Sequence, residues 1–117
     1  MVRPVIDPVK SVVRMPAAVD NLSEDGEGGL LMAGHPFAPA LMAVAKGRKG
    51  CVLGTEEACG CTAGSWAAAW SEQGGLREVY RDGGREFCSS STIARDSERG
   101  VGIISGLYER GILVFRT

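Results

Sequence analysis

Histidine, aromatic residues and net charge are all scarce in this chain, and each scarcity narrows what it can do. The single histidine, His35, excludes a paired-histidine zinc site and leaves one imidazole for acid–base work. Aromatic residues are 6% of the chain, so a core has to come largely from Val, Leu, Ile, Ala and Met. The formal net charge is -1 and neither half departs from balance, which argues against a nucleic-acid footprint or an anionic membrane partner. No apolar run is long enough to span a bilayer, and no N-terminal apolar segment with a cleavage site is visible. The expectation is a cytoplasmic protein with no membrane partner and with reduced thiols. No phosphate loop, serine nucleophile elbow or internal repeat is found.

Glycine is plentiful instead. Seventeen glycines are about twice the usual share of ~7%, so the chain should be rich in turns. Its 117 residues suit one domain, residues 1–117, burying roughly 65% of its unfolded surface.

The unusual chemistry is concentrated in Gly50–Trp70, which holds Cys51, Cys59, Cys61, Trp66 and Trp70. Cys51–Gly54 reads as a short buried strand, and Thr55–Gly60 as a loop. From Thr62 the alanines at 63, 67, 68 and 69 predict a helix, stopped by Gly74-Gly75. Trp66 and Trp70, four apart, would share one buried face of that helix. Cys59 and Cys61 would then precede a helix N-terminus, where free N–H groups and the dipole stabilise a thiolate.

Elsewhere Pro4 and Pro8 make the first residues an edge strand or arm, and Val9–Arg14 reads as a strand. Residues 20–29 read as a flexible acidic loop. Leu30–Ala33 reads as a strand and Pro39–Lys46 as a helix with Gly47 behind it. Leu76–Tyr80 and Arg85–Cys88 read as a hairpin about Asp82-Gly83, and Ser89–Thr92 as a helix N-cap. Val101, Ile104, Leu107 and Tyr108 have helical spacing, although glycines at 100, 102 and 106 leave two strands with a turn open. Ile112–Phe115 closes the chain as a strand. Together these readings predict an α+β fold: a mainly antiparallel sheet of five to six strands with two or three helices on one face.

Three site chemistries follow. Cys51, Cys59, Cys61 and Cys88 are the candidate ligands for zinc or an iron–sulfur cluster, since four thiolates hold either. The triplet Cys59-Gly60-Cys61 resembles the end of A-type iron–sulfur carrier proteins, which implies cluster ligation by Cys59 and Cys61. It departs from that family in having 56 residues after Cys61 and its nearest upstream cysteine only eight positions away. Cys61 is also the candidate nucleophile or redox thiol, with His35 the one available base. In an oxidising setting the four cysteines would instead form two disulfides, in any of three pairings. Finally, Thr92–Ala94 followed by Ile104–Leu113 resembles a winged helix-turn-helix, which implies DNA binding through that segment. Acidic residues at 96, 98 and 109 interleave with Arg95, Arg99 and Arg110, and phosphate contacts need a net basic face.

With no complete catalytic constellation, the overall expectation is a small non-enzymatic binding or interaction module. It is expected to self-associate, because Val2, Val5, Val12, Leu31, Val114 and Phe115 exceed what one sheet face can hide.

Overall fold

A computed structural model describes residues 11–52 and 59–117. Among the described residues seven strands run in the order β1 (Ala18–Glu24), β2 (Leu30–His35), β3 (Ser65–Ser71), β4 (Gly75–Asp82), β5 (Ser90–Asp96), β6 (Val101–Gly106) and β7 (Ile112–Arg116). The helix α1 (Ala38–Gly47) follows β2 and runs into a short 3-10 turn at Arg48–Gly50. β1–β4 form one antiparallel meander and β5–β7 a second.

The two sheets pack face to face. Leu31 and Ala33 of β2 and Ala67 and Ala69 of β3 meet Ile93 of β5, Ile104 of β6 and Phe87. Val79, Tyr80, Leu113 and Phe115 close the rim of this core. Where Phe115 crosses β6, its ring lies over Gly102, and a Cβ there would collide with it. The first sheet is covered on its other face too. Met32, Trp66 and Ala68 are buried there beneath Met15 and Ala17, with Trp70 alongside.

This arrangement overturns the α+β expectation. Ser65–Ser71 is a central strand, not a helix. A spacing of four puts two side chains on one face of either element, because four is one helical turn and also twice the strand period. The indoles therefore share a face as expected, but on a strand. The alanines follow from the same burial: a strand covered on both faces reads as an unbroken small or apolar run, and close sheet packing overrides helix propensity. Trp66 is fully buried, and its indole N–H donates to Glu78 across the ladder. The Arg81 guanidinium beside Glu78 holds that carboxyl below its ordinary value, aided by the indole N–H and opposed by desolvation.

Other expectations change for similar reasons. The first half of the acidic loop at 20–29, residues 20–24, is strand, within β1, and the second half is a turn from Asp25 to Gly29. The supposed helix around Val101–Tyr108 is β6 and a turn, so the helix-turn-helix resemblance falls on β5, β6 and β7. Asp82-Gly83 does not close a hairpin with Arg85–Cys88: β4 pairs only with β3, and Ser90 begins a strand that pairs with β6. Residues 11–14 are not a strand, and Val9 lies outside the described residues, as do the second halves of the expected strand at 51–54. Leu30–Ala33, Pro39–Lys46 and Ile112–Phe115 fall within β2, α1 and β7.

Burial separates the two indoles energetically. Trp66→Ala should cost about 3–5 kcal/mol, the range for emptying a buried aromatic site, and Trp70→Ala clearly less. Urea unfolding of the two variants measures the difference.

Candidate functional site

Chemistry-bearing side chains gather where the chain passes from one sheet to the other. Four observations define this junction.

The first is the sulfur pairing. Cys51 is bonded to Cys59, with their Cα atoms 4.9 Å apart, and Cys61 to Cys88, with Cα atoms 6.0 Å apart. The second bond joins the segment entering β3 to the segment entering β5, so it ties the two sheets together. The four candidate metal ligands are thus brought together two by two, as disulfides, in which no sulfur is a thiolate. Among the described residues, no three His, Cys, Asp or Glu side chains converge as an ion site.

The second is a buried hydroxyl cluster. Ser65, Ser89 and Ser90 are fully buried. The Ser90 hydroxyl accepts from the Trp66 backbone N–H at 2.8 Å and lies 2.9 Å and 3.0 Å from the Gly34 and Trp66 carbonyls, to which it donates. Ser65 donates to the Phe87 carbonyl and accepts from the Ser90 N–H. Ser89 is held at φ 51°, a left-handed conformation that costs an L-residue roughly 1–2 kcal/mol. Three bonds fix it there: its N–H to Ala63, its carbonyl to the Leu107 N–H, and its hydroxyl to the Tyr108 N–H.

The third is Asp82. Its two carboxylate oxygens accept from the backbone N–H groups of Gly84, Arg85, Glu86 and Phe87 and from the Tyr80 hydroxyl. Burial pulls its pKa upward, but the Tyr80 and backbone bonds together win and hold it below the ordinary carboxylate value. The Tyr80 phenol is pushed up to about 12, first by burial and then by its bond to Asp82 and the nearby carboxylate charge. Gly84 is required in this loop: at φ 104°, its backbone lies against Thr62 and Ala63, where no side chain fits.

The fourth is His35. It is 6% exposed, and its Nε2 lies 2.9 Å from Asp20 of β1. Its Nδ1 has no protein partner. The sulfur it was expected to activate, on Cys61, is bonded to Cys88. The structure therefore brings His35 together with a carboxylate rather than with a reactive thiol.

At the opposite end of the sandwich, Arg95 points into the core with its side chain 8% exposed. Asp25 and Glu27, on the turn between β1 and β2, pair with it. An open cleft of about 700 Å³ lies beside this turn, lined by Glu24, Asp25, Glu27, Trp70 and Glu72 among others. A side chain that crosses the sheet packing as a cation was not read from the sequence. The alternation Ile93-Ala94-Arg95 carries the signal, since Arg95 shares Ile93's face.

The sheets, the disulfides and the hydrogen-bonded polar junction define a disulfide-stapled, two-sheet antiparallel β domain. Comparison with known protein families, with curated proteins and with solved structures gives no match. Among the described residues no helix is long and apolar enough to cross a membrane.

Two outcomes follow from the junction. Removing the Cys61–Cys88 bond, which spans 27 positions, should cost about 3–4 kcal/mol by loop-closure entropy, and the shorter Cys51–Cys59 bond less. Thermal melting of Cys61→Ala/Cys88→Ala beside Cys51→Ala/Cys59→Ala gives the order. The second outcome is a pair of pH limits. Asp82 has a lowered folded pKa, so its stabilisation is present above the ordinary carboxylate range and is lost as pH falls through the folded value. Tyr80 has a raised one, so its contribution is present below 10.0 and is lost as pH rises towards 12. Asp82→Asn should flatten the acid limb and Tyr80→Phe the alkaline limb of a stability–pH profile.

Proposed function

We propose that the chain is a non-catalytic binding module that self-associates and works in an oxidising compartment. The observation carrying this reading is the pairing of all four sulfurs. A thiol enzyme or a thiolate metal centre needs sulfur free to ionise, whereas structural disulfides persist where the reducing pools of the cytosol do not reach. The cytoplasmic expectation carried reduced thiols with it, and an oxidising location fits the paired ones better.

Two further features support the binding-module reading. The buried polar groups of the junction are engaged in holding the two sheets, which is a structural use of hydroxyls and carboxylate. Several large apolar side chains stay exposed, among them Ile103, Ile112 and Val114 on the outer face of the second sheet. Contiguous exposed apolar surface marks interaction sites.

The test uses the unmodified chain, purified without reductant. Its intact mass should be lower than the reduced mass by four hydrogens, two for each disulfide, and alkylation without reduction should label nothing. Light scattering coupled to sizing should report a species larger than 12.3 kDa. Free thiols in the folded protein would sink the oxidising reading, and a monomer at every concentration would sink self-association.

A further inference from the structure

An antiparallel sandwich has four open edges, and three of these are guarded. β1 carries Asp20 and Glu24, has a bulge between Val19 and Asn21, and is tied to β5 through Asn21 and Ser23. β4 carries Arg77, Glu78, Arg81 and Asp82, and its ladder to β3 is also bulged. β5 lies under those ties to β1, and its ladder to β6 shifts register between Ser90 and Thr92. Charges, bulges and cover are how natural sheets stop their edges from pairing with other chains.

β7 has the least of these. Its one charge is Arg116 at its end; Ile112–Phe115 carry no charge and no proline, and its ladder to β6 is regular. Two of its three outward side chains are apolar: Ile112 is 59% exposed and Val114 60%, beside Ile103 on β6, and Arg116 is the third. Among the described residues nothing pairs with its outer edge.

We propose that β7 is the self-association edge, and that its occupant is β7 of a second copy, antiparallel about a two-fold axis at Val114. This inference rests on the self-association reading above. The register follows from charge and face. A two-fold axis normal to the sheet keeps each face continuous, so only registers that pair like faces are admissible. Centring on Leu113 would set Arg110 opposite the other copy's Arg116, a like-charge clash. Centring on Val114, the middle residue of Ile112–Arg116, avoids it and pairs every residue of β7, which centring on Ile112 or Phe115 does not. Val114 then faces Val114, Ile112 faces Arg116, and on the inner face Leu113 faces Phe115, an aliphatic–aromatic pair of the kind that stabilises ladders. The joined sheet has six strands.

A five-residue strip falls short of the ~800 Å² per partner of a stable interface. However, β4 and β7 flank a cleft of about 300 Å³ lined by Arg77, Glu78, Val79, Phe115 and Arg116, and it lies along the same side. A second copy seated on β7 covers this cleft as well.

Sedimentation equilibrium tests the edge and the register separately. The unmodified chain should dimerise reversibly. Val114→Lys places two ammonium groups face to face and should raise the dissociation constant roughly tenfold or more, with its melting profile unchanged at dilutions where both chains are monomeric, because the side chain is exposed in the monomer. Ile112→Lys sets a cation against Arg116 and should weaken the dimer, while Ile112→Glu sets a carboxylate there and should bind roughly tenfold or more tighter than Ile112→Lys. This pair keeps the test decisive if Val114→Lys folds poorly.

A dimer that ignores both lysine variants overturns the edge while leaving self-association standing. Equal losses in Ile112→Lys and Ile112→Glu overturn the register. A strict monomer overturns both this inference and the reading beneath it. A strict monomer whose β7 amides exchange slowly at every dilution would additionally give the edge to another segment of the same chain.

Discussion

One hydroxyl group sits where the two sheets join. The Ser90 side chain bridges the backbone of β2 at Gly34 and of β3 at Trp66, while Ser90 itself opens the second sheet. Any chain that leaves one sheet to start another has to bury backbone between them, and buried N–H and C=O groups cost free energy unless paired. Ser65, Ser89 and Ser90 supply the missing partners. The Cys61–Cys88 bond lies within this polar junction, with Ser89 next to it, and the Asp82 loop leads into it from β4. The disulfide constrains the unfolded chain, whereas the serines and Asp82 fix which backbone arrangement the folded chain adopts.

The other end of the sandwich is closed by charge. Arg95 sits on the inner face of β5 and is matched by Asp25 and Glu27 from the turn that joins β1 to β2. A buried pair of this kind adds little net stability over an apolar plug, but losing one partner is costly. Its effect is on register. With Ile93 and Ile104 in the core, a one-residue slip of β5 would carry Arg95 away from its carboxylates and turn Ile93 out to solvent. Between these two ends the core is thin, built from alanines, Gly102 and a few large side chains, so exact alignment has to come from the polar ends.

Much of the turn structure was legible in the sequence, and most of the ladder pairing was not. Leu30–Ala33, Pro39–Lys46 and Ile112–Phe115 were readable because their flanking glycines and prolines act locally. The central strand was not, because Ser65–Ser71 has the composition of a helix and a tryptophan spacing that both periods satisfy. Only its double burial, a tertiary fact, decides the matter. Asp82-Gly83-Gly84 was correctly seen as a turn, but its role is set by four N–H groups that the Asp82 carboxylate collects rather than by a partner strand. The serine run at 89–92 looked like a helix cap for the same local reason: short hydroxyl side chains bond nearby backbone, and whether that backbone is a helix end or a sheet crossing depends on distant residues. The cysteines form a visible cluster in the sequence, and disulfides are one of three outcomes it leaves open, beside metal ligation and a reactive thiol. Spacing cannot choose among three pairings, because each pair is selected by where β3 and β5 begin.

The paired sulfurs and the bare edge belong to one physical situation. A chain of 117 residues with seventeen glycines has a small core to set against a large backbone entropy, and cross-links reduce that entropy in the unfolded state. Stabilised in this way, the fold does not require β7 to carry a protective charge for the sake of its own integrity, since Ile112 and Val114 point away from the core. Their apolar character is therefore not explained by folding. In a fold whose other edges are charged, bulged or covered, the four uncharged residues Ile112–Phe115 at the margin are accounted for, on the proposal, by contact with a second copy, and the antiparallel two-fold meeting centred on Val114 keeps Arg116 clear of its own kind.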